Sequence, residues 1–169
     1  TNNDDLAERM KRFARHGALG KHDHEIEGIN SRLDGLQAAI LSVKLKYIDD
    51  WTNQRIEKSI KYSQSFYGSN FIVPKIHDNA KHVFHLYVIL TENRDAYKEL
   101  LAKNGISSGI HYPKPLPYLK AYDHLNHNKS DFPIAFDYTE KILSLPMFPE
   151  LKGSQISKIV SILLNNNIV

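Results

Sequence analysis

Four polar residues of the 169-residue sequence stand where packing alone explains them poorly. Asn30 and Arg32 open the strongest helical pattern in the chain, and the free N–H groups and dipole of a helix start make an anion site. His111 and Tyr112 close a strand-like run immediately before a rigid proline loop, a usual place for site residues in open α/β sheets. Each has a plainer alternative. Asn30 or Ser31 reads equally as an N-cap, Arg32 as half of a surface ion pair with Asp34, and the His111-Tyr112 pair as loop packing. His22-x-His24, with Asp23 and Glu25 beside it, has metal-ligating residue types. Its rings share a side only if the segment is a strand, and the spacing fixes no third ligand. A solvated loop is the better reading, and no metal is expected. The sequence holds no G-x-S-x-G, H-E-x-x-H, Walker loop or G-x-G-x-x-G. The absence of cysteine excludes thiol catalysis, thiolate metal sites and disulfides.

These residues need elements to position them. Asn3 or Asp4 can cap a first helix that carries Leu6, Met10 and Phe13 at helical spacing, with Lys11, Arg12, Arg15 and His16 near its end and Gly17 as its stop. Residues 18–29 read as a loop. A long helix follows, with Leu33, Leu36, Ile40, Val43, Tyr47 and Trp51 recurring every three or four residues and a possible break near Asp50. That stripe reads as core or interface, and the first helices are expected to leave apolar surface exposed. The pattern then changes. Residues 82–90 are β-branched and aromatic on both faces, as in a central strand. A helix over 95–103 points Tyr97, Leu100 and Leu101 inward, and residues 106–112 read as a second strand. After the proline run comes a helix with Pro133 in its first turn. A last helix is capped by Ser154 and carries Ile156, Ile159, Val160, Leu163 and Leu164.

The expected fold class is therefore α/β, with a small antiparallel or mixed sheet containing residues 83–90 and 106–111 and helices on one face. Composition agrees with a globular chain: 41% hydrophobic and 24% charged. Lys and Arg exceed Asp and Glu by only 22 to 19, too little to argue for nucleic acid or an anionic membrane as partner. No apolar run approaches the ~20 residues that span a bilayer. The polar residues 1–5 do not resemble a signal peptide. A soluble, cytoplasmic protein is expected, and a chain entering so directly into a helix is expected to be a processed product or a piece of a larger fold.

Six short motifs, in order, carry a family resemblance. Gly28-Ile29-Asn30-Ser31-Arg32-Leu33-Asp34, followed by Gln37-Ala38-Ala39-Ile40-Leu41 and Lys44-Leu45, resembles a signature of the DegT-type nucleotide-sugar aminotransferases. Arg15-His16-Gly17, His85-Leu86-Tyr87-Val88, Gly105-Ile106, Gly109-Ile110-His111-Tyr112-Pro113 and Leu143-Ser144-Leu145-Pro146-Met147-Phe148-Pro149 resemble further motifs of the same family. The resemblance runs from residue 1 to about residue 164. Pro117 departs from it, standing where many relatives have histidine.

The resemblance implies a pyridoxal-phosphate (PLP) enzyme of the aspartate-aminotransferase fold, of which this chain is the C-terminal portion. On that basis residues 1–67 are a helical segment at the edge of a large domain with the long inter-domain helix, residues 68–80 a linker and residues 81–169 a small α/β domain. The implied reaction moves an amino group from an amino acid, commonly glutamate, to a nucleotide-linked keto sugar, for cell-surface polysaccharide or sugar-antibiotic synthesis. The Schiff-base lysine is expected upstream of Thr1, so no catalytic residue is assigned here and the chain alone should be inactive. Asn30 is implied to reach the phosphate of PLP across a homodimer interface, in a composite active site. Arg32 is implied to meet the substrate's diphosphate or an acidic sugar, and His111 and Tyr112 to lie near the bound sugar nucleotide. The missing lysine leaves one competing reading, a non-catalytic interaction module derived from this fold. A metal-binding domain using His22 and His24 is a weaker third.

Overall fold

The computed structural model describes residues 1–20, 22–166 and 168. Lys21, which opens the polar run of the first loop, and Val169, the last residue of the expected small domain, lie outside the described residues, as does Asn167. The described chain divides into two compact units, Thr1–Tyr47 and Ile48–Val169. The expected segment 1–67 thus contributes residues to both. No helix among the described residues is long and apolar enough to cross a membrane.

In the first unit, α1 (Asp4–Phe13) begins where Asn3 accepts a hydrogen bond from the Leu6 N–H at 2.8 Å. Asp4 and Asp5 sit at its positive end and Lys11 and Arg12 at its negative end. It stops at Ala14, and the chain turns through two left-handed residues, His16 (φ 59°) and Gly17 (φ 86°). The loop then folds back so that residues 28–31 run beside residues 13–17. The Ile29 N–H donates to Phe13 O at 2.8 Å, the His16 N–H to Ile29 O at 3.0 Å and the Ser31 N–H to Ala14 O at 3.0 Å. Glycine is required at this crossing. A Cβ on Gly28 would lie 2.3 Å from Gly17 N and 2.6 Å from Phe13 O, and one on Gly17 would lie 1.6 Å from Ile26 O.

That backbone pairing corrects the expected helix start. Residues 29–31 are extended and already bonded to residues 13–16, so neither Asn30 nor Ser31 caps a helix. The second helix, α2 (Gly35–Leu45), is capped by Asp34, whose carboxylate accepts from the Gln37 N–H at 2.8 Å. The long helical pattern also breaks earlier than expected, at Lys46 and Tyr47, before α3 (Ile48–Ser65). The stripe that α2 carries lies at the surface: Leu33 just before it, Leu36, Ile40 and Val43 on it and Tyr47 just after it are all exposed, Leu36 by 73%. Ala18 is the one buried hydrophobic residue among the described residues of this unit.

The second unit holds the core. β1 (Tyr87–Leu90) and β2 (Ile142–Leu145) pair antiparallel, Tyr87 opposite Leu145 and Leu90 opposite Ile142. The strand expected over 82–90 is shorter because Phe84 takes a left-handed φ of 48° and its N–H bonds to His82 Nδ1 at 2.9 Å. Residues 106–112 do not form the second strand. Their contribution is one antiparallel bridge, in which Gly109 and Ser144 exchange backbone hydrogen bonds of 3.0 and 2.8 Å. Pro113 and Pro115 follow at once and cannot donate to a ladder. Ile72 makes a matching bridge to Leu90 on the opposite edge.

Helices α4 (Arg94–Lys103), α5 (Pro133–Lys141) and α6 (Gly153–Leu164) complete the unit. α3 and α4 pack on α6, α4 also meets β2, and α5 meets β1. Tyr62, Phe66, Phe71, Tyr87 and Tyr97 form a chain of ring contacts, with Tyr62 stacked on Tyr87 at 4.8 Å. Ile89, Leu101, Leu143 and Leu163 fill the space around them. α6 buries Ile156, Ile159, Val160 and Leu163 as its spacing predicts, while Leu164 is exposed. Its start is Gly153 rather than Ser154: Gln155 Oε1 accepts from the Lys152 N–H at 2.8 Å. The Arg55 guanidinium of α3 donates to Met147 O at 3.0 Å and Phe84 O at 3.4 Å, and the Tyr62 hydroxyl to Pro146 O at 3.0 Å. These bonds tie α3 to the segments that lead into β1 and out of β2.

Candidate functional site

The four candidate residues fall two to each unit. Asn30 pairs through its backbone with Arg15 in an isolated bridge, and its side-chain amide is exposed. No side-chain hydrogen bond of Asn30 occurs among the described residues, so its two N–H donors face outward. Arg32 follows on the same extended strip, also exposed. The expected ion pair with Asp34 does not form, since Asp34 is engaged at the start of α2.

Next to this strip the first unit encloses a cavity of about 700 Å³, lined among others by Lys11, Arg15, His16, His22, His24 and Arg32. No carboxylate is among its lining residues within the described chain. Three permanently cationic side chains and three imidazoles, unopposed, suit an anion such as a phosphate or diphosphate. The α1 terminus delivers Lys11, Arg15 and His16, the folded-back loop His22 and His24, and the strip Arg32. His24 is held by its Nδ1, which donates to His16 O at 2.8 Å. That bond uses one nitrogen of the His24 ring and leaves Nε2 open. No group of three or more metal-ligating side chains is arranged around a common point among the described residues. The loop ends are further tied to α1 by Arg12, which pairs with both Glu8 and Glu25.

In the second unit His111 and Tyr112 follow the Gly109–Ser144 bridge rather than the end of a full strand. His111 Nδ1 lies 2.8 Å from the hydroxyl of Ser144, which is itself 3% exposed. The His111 and Tyr112 rings meet edge to face at 5.5 Å, and Tyr112 is 71% exposed. A Cβ on Gly109 would lie 2.7 Å from His111 Cε1, so glycine leaves the space that the ring occupies.

The sequence reading missed two parts of this arrangement. Arg15-His16-Gly17 was legible as a helix end, but Arg15 and His16 also line a cavity with Ser31 and Arg32 of the returning strip. Ser144 was one polar residue inside an apolar run, and that interruption was the available signal of a side-chain partner.

Comparison with known proteins gives the frame. The profile of the DegT/DnrJ/EryC1/StrS aminotransferase family matches residues 1–164. A pleiotropic regulatory protein of Geobacillus stearothermophilus is 39% identical over 95% of this chain and 44% of its own length. The dTDP-3-amino-3,6-dideoxy-alpha-D-galactopyranose transaminase of Aneurinibacillus thermoaerophilus is 36% identical over 95% of this chain and 44% of its own length. The crystal structure of an aminotransferase of the same family from Brucella abortus superposes with a TM-score of 0.91 at 33% identity, over 98% of this chain and 44% of that one. The chain thus spans less than half the length of the relatives it matches.

Proposed function

Because the chain belongs to the DegT/DnrJ/EryC1/StrS aminotransferase family, we propose that it works as the C-terminal part of a PLP-dependent enzyme that transfers an amino group to a nucleotide-linked keto sugar. The amino donor is an amino acid, commonly glutamate, and the product feeds cell-surface polysaccharide or sugar-antibiotic synthesis. Supporting this are the family match over residues 1–164 and relatives that bear the names of sugar-nucleotide transaminases. One structural observation carries it to particular residues: Asn30 and Arg32 stand exposed and unpartnered among the described residues, beside a cavity lined by cations. In this reading residues 1–67 border the large domain and include the inter-domain helix, residues 68–80 link, and residues 81–169 form the small domain. The functional unit is a cytoplasmic homodimer whose active site draws on both subunits.

The residues present fit PLP. Its phosphate is a dianion, and the outward amide of Asn30 offers it N–H donors with no competing partner inside the chain. When bound, the cofactor supplies the electron sink that amino transfer needs. Asn30 would hold the phosphate of the cofactor carried by the partner subunit, through its amide N–H donors. Arg32 presents its planar fork to the substrate diphosphate or to an acidic sugar. His111 and Tyr112 orient the sugar nucleotide, His111 by hydrogen bonding and Tyr112 by stacking and donating its phenol. The Schiff-base lysine, which also carries the proton, belongs to the part of the enzyme before Thr1. The non-catalytic module is not favoured, since the family is one of aminotransferases and several matching relatives are named as sugar transaminases or aminotransferases.

The full-length protein should bind PLP and, with glutamate, convert UDP- or dTDP-linked keto sugars to amino sugars, read by mass spectrometry of the nucleotide product and by 2-oxoglutarate release. The coding sequence upstream of Thr1 should specify a lysine-bearing domain about as long again. A PLP-loaded full-length protein that transfers no amino group to any such sugar overturns the proposal.

A further inference from the structure

We propose that Ser144 is a positioning residue: its buried hydroxyl donates to Nδ1 of His111, fixes that ring as the Nε2–H tautomer and turns the Nε2–H toward an acceptor oxygen of the sugar nucleotide. The substrate half of this inference rests on the reading of His111 given above. The ring half rests on the geometry alone.

Ser144 is the polar exception in β2, between Leu143 and Leu145, and only 3% of it reaches solvent. A buried hydroxyl without a partner is costly, so an apolar residue would serve packing better unless the oxygen has a task. The backbone of Ser144 cannot move to find another partner. Its N–H donates to Gly109 O at 2.8 Å and its carbonyl accepts from the Gly109 N–H at 3.0 Å. The hydroxyl then meets His111 Nδ1 at 2.8 Å, its one side-chain partner among the described residues.

The direction of that bond follows from what each atom can satisfy. Were Nδ1–H the donor, the serine proton would be left buried with no acceptor among the described residues. With the hydroxyl donating, its proton and the Nδ1 lone pair are both satisfied, and the single proton of the neutral ring sits on Nε2. A hydrogen bond to one ring nitrogen sets what the other nitrogen can do. The surroundings suit that pose: a Cβ on Gly109 would lie 2.7 Å from Cε1, so glycine leaves room for the ring, and Tyr112 stands edge to face at 5.5 Å. The outcome is an Nε2–H donor on an exposed residue, matched to phosphate, carbonyl or hydroxyl oxygens of a sugar nucleotide.

The test uses the full-length enzyme with ¹⁵N-labelled histidine and long-range ¹H–¹⁵N correlation. Expected in wild type is a His111 ring with Nδ1 bare and Nε2 protonated. Ser144→Ala should shift it to a mixture of tautomers, and Ser144→Thr, which keeps the hydroxyl, should restore it. In steady-state kinetics Ser144→Ala should raise KM for the keto sugar about tenfold, equivalent to one hydrogen bond. His111→Ala should do at least as much, and the double variant no more than His111→Ala. A wild-type ring protonated at Nδ1 overturns the proposal without any variant having to fold. So does an unaltered KM in Ser144→Ala when His111→Ala is impaired. An inert His111→Ala overturns the substrate-contact reading and the substrate half with it, while the ring signal still decides whether Ser144 sets the tautomer.

Discussion

Replacing Asn30 by alanine separates two roles that the sequence alone leaves entangled. Had Asn30 capped a helix, its loss would lower stability by about 1 kcal/mol whatever else it did. The structure assigns the cap to Asp34, through its 2.8 Å bond to the Gln37 N–H, and leaves the Asn30 amide exposed with no side-chain partner among the described residues. Asn30→Ala should therefore leave the melting temperature of the full-length, PLP-free protein unchanged. Asp34→Ala should lower it by a few degrees at most, the equivalent of about 0.5–2 kcal/mol. Cofactor affinity should show the opposite pattern. A hydrogen bond to a charged group is worth about 1.5–3 kcal/mol, and each ~1.4 kcal/mol is a factor of ten, so Asn30→Ala should weaken PLP binding about ten- to hundred-fold. The assay is PLP retention after dialysis, followed by absorbance, beside a thermal melt of each variant. Unchanged PLP affinity in Asn30→Ala refutes the phosphate assignment, and a melting temperature lowered as far as in Asp34→Ala refutes the reassigned cap.

Gly28→Ala should destabilise by roughly 1–3 kcal/mol, as overpacking does, because the added Cβ meets backbone at 2.3 and 2.6 Å; a melt indistinguishable from wild type would show that the crossing can yield. Tyr112 is 71% exposed, so Tyr112→Ala should lower kcat/KM for the keto sugar with PLP affinity and melting temperature held; equal losses of activity and thermal stability would return it to loop packing. Burial pushes the Tyr87 phenol up to about 12, against the opposing hydrogen bond with Ser63, and burial also raises Tyr62. Both phenols are neutral in the fold where an unfolded chain would lose the proton near pH 10, so their share of stability is complete below about pH 10 and falls as pH rises toward the folded value. The absorbance difference between wild type and Tyr87→Phe on alkaline titration should appear only as the far-ultraviolet circular dichroism signal is lost; a phenol titrating near pH 10 in folded protein would contradict its burial.

What the sequence made legible was the set of elements whose periodicity and punctuation agree. α1, α4 and α6 each show one apolar face and a recognisable start or stop; in α4 and α6 the inward residues Tyr97, Leu101, Ile156 and Leu163 are buried as read, while the face of α1 lies exposed. Strand pairing was harder. Residues 142–145 are four apolar-rich residues directly after a helix, too short to compete with residues 106–112 on pattern, yet they pair with β1. The choice among Asn30, Ser31 and Asp34 as helix cap was undecidable locally, because it depends on the bonds that residues 29–31 make to residues 13–16. The stripe on α2 shows that a face is apolar and says nothing about what covers it. The candidate site divides the same way. Residue types announced Asn30, Arg32, His111 and Tyr112, whereas the cavity cations and the Ser144 hydroxyl depend on chain segments meeting in space.

The crossing of Gly17 and Gly28 also bears on how the cavity beside Asn30 can be reshaped. Backbone passes backbone there with no room for a side chain, and the strip bearing Asn30 and Arg32 is bonded directly to residues 13–16. The intervening loop is thus anchored at both feet, and its tip supplies Leu19, Gly20, His22 and His24 to the cavity wall. Lengthening such a loop is cheap, with each doubling costing only about 0.6 kcal/mol in closure entropy. Insertions and substitutions between the two glycines can therefore redraw the cavity while Asn30 stays in register. Under the roles proposed above, loops grafted between the two glycines would change what the cavity admits without moving Asn30.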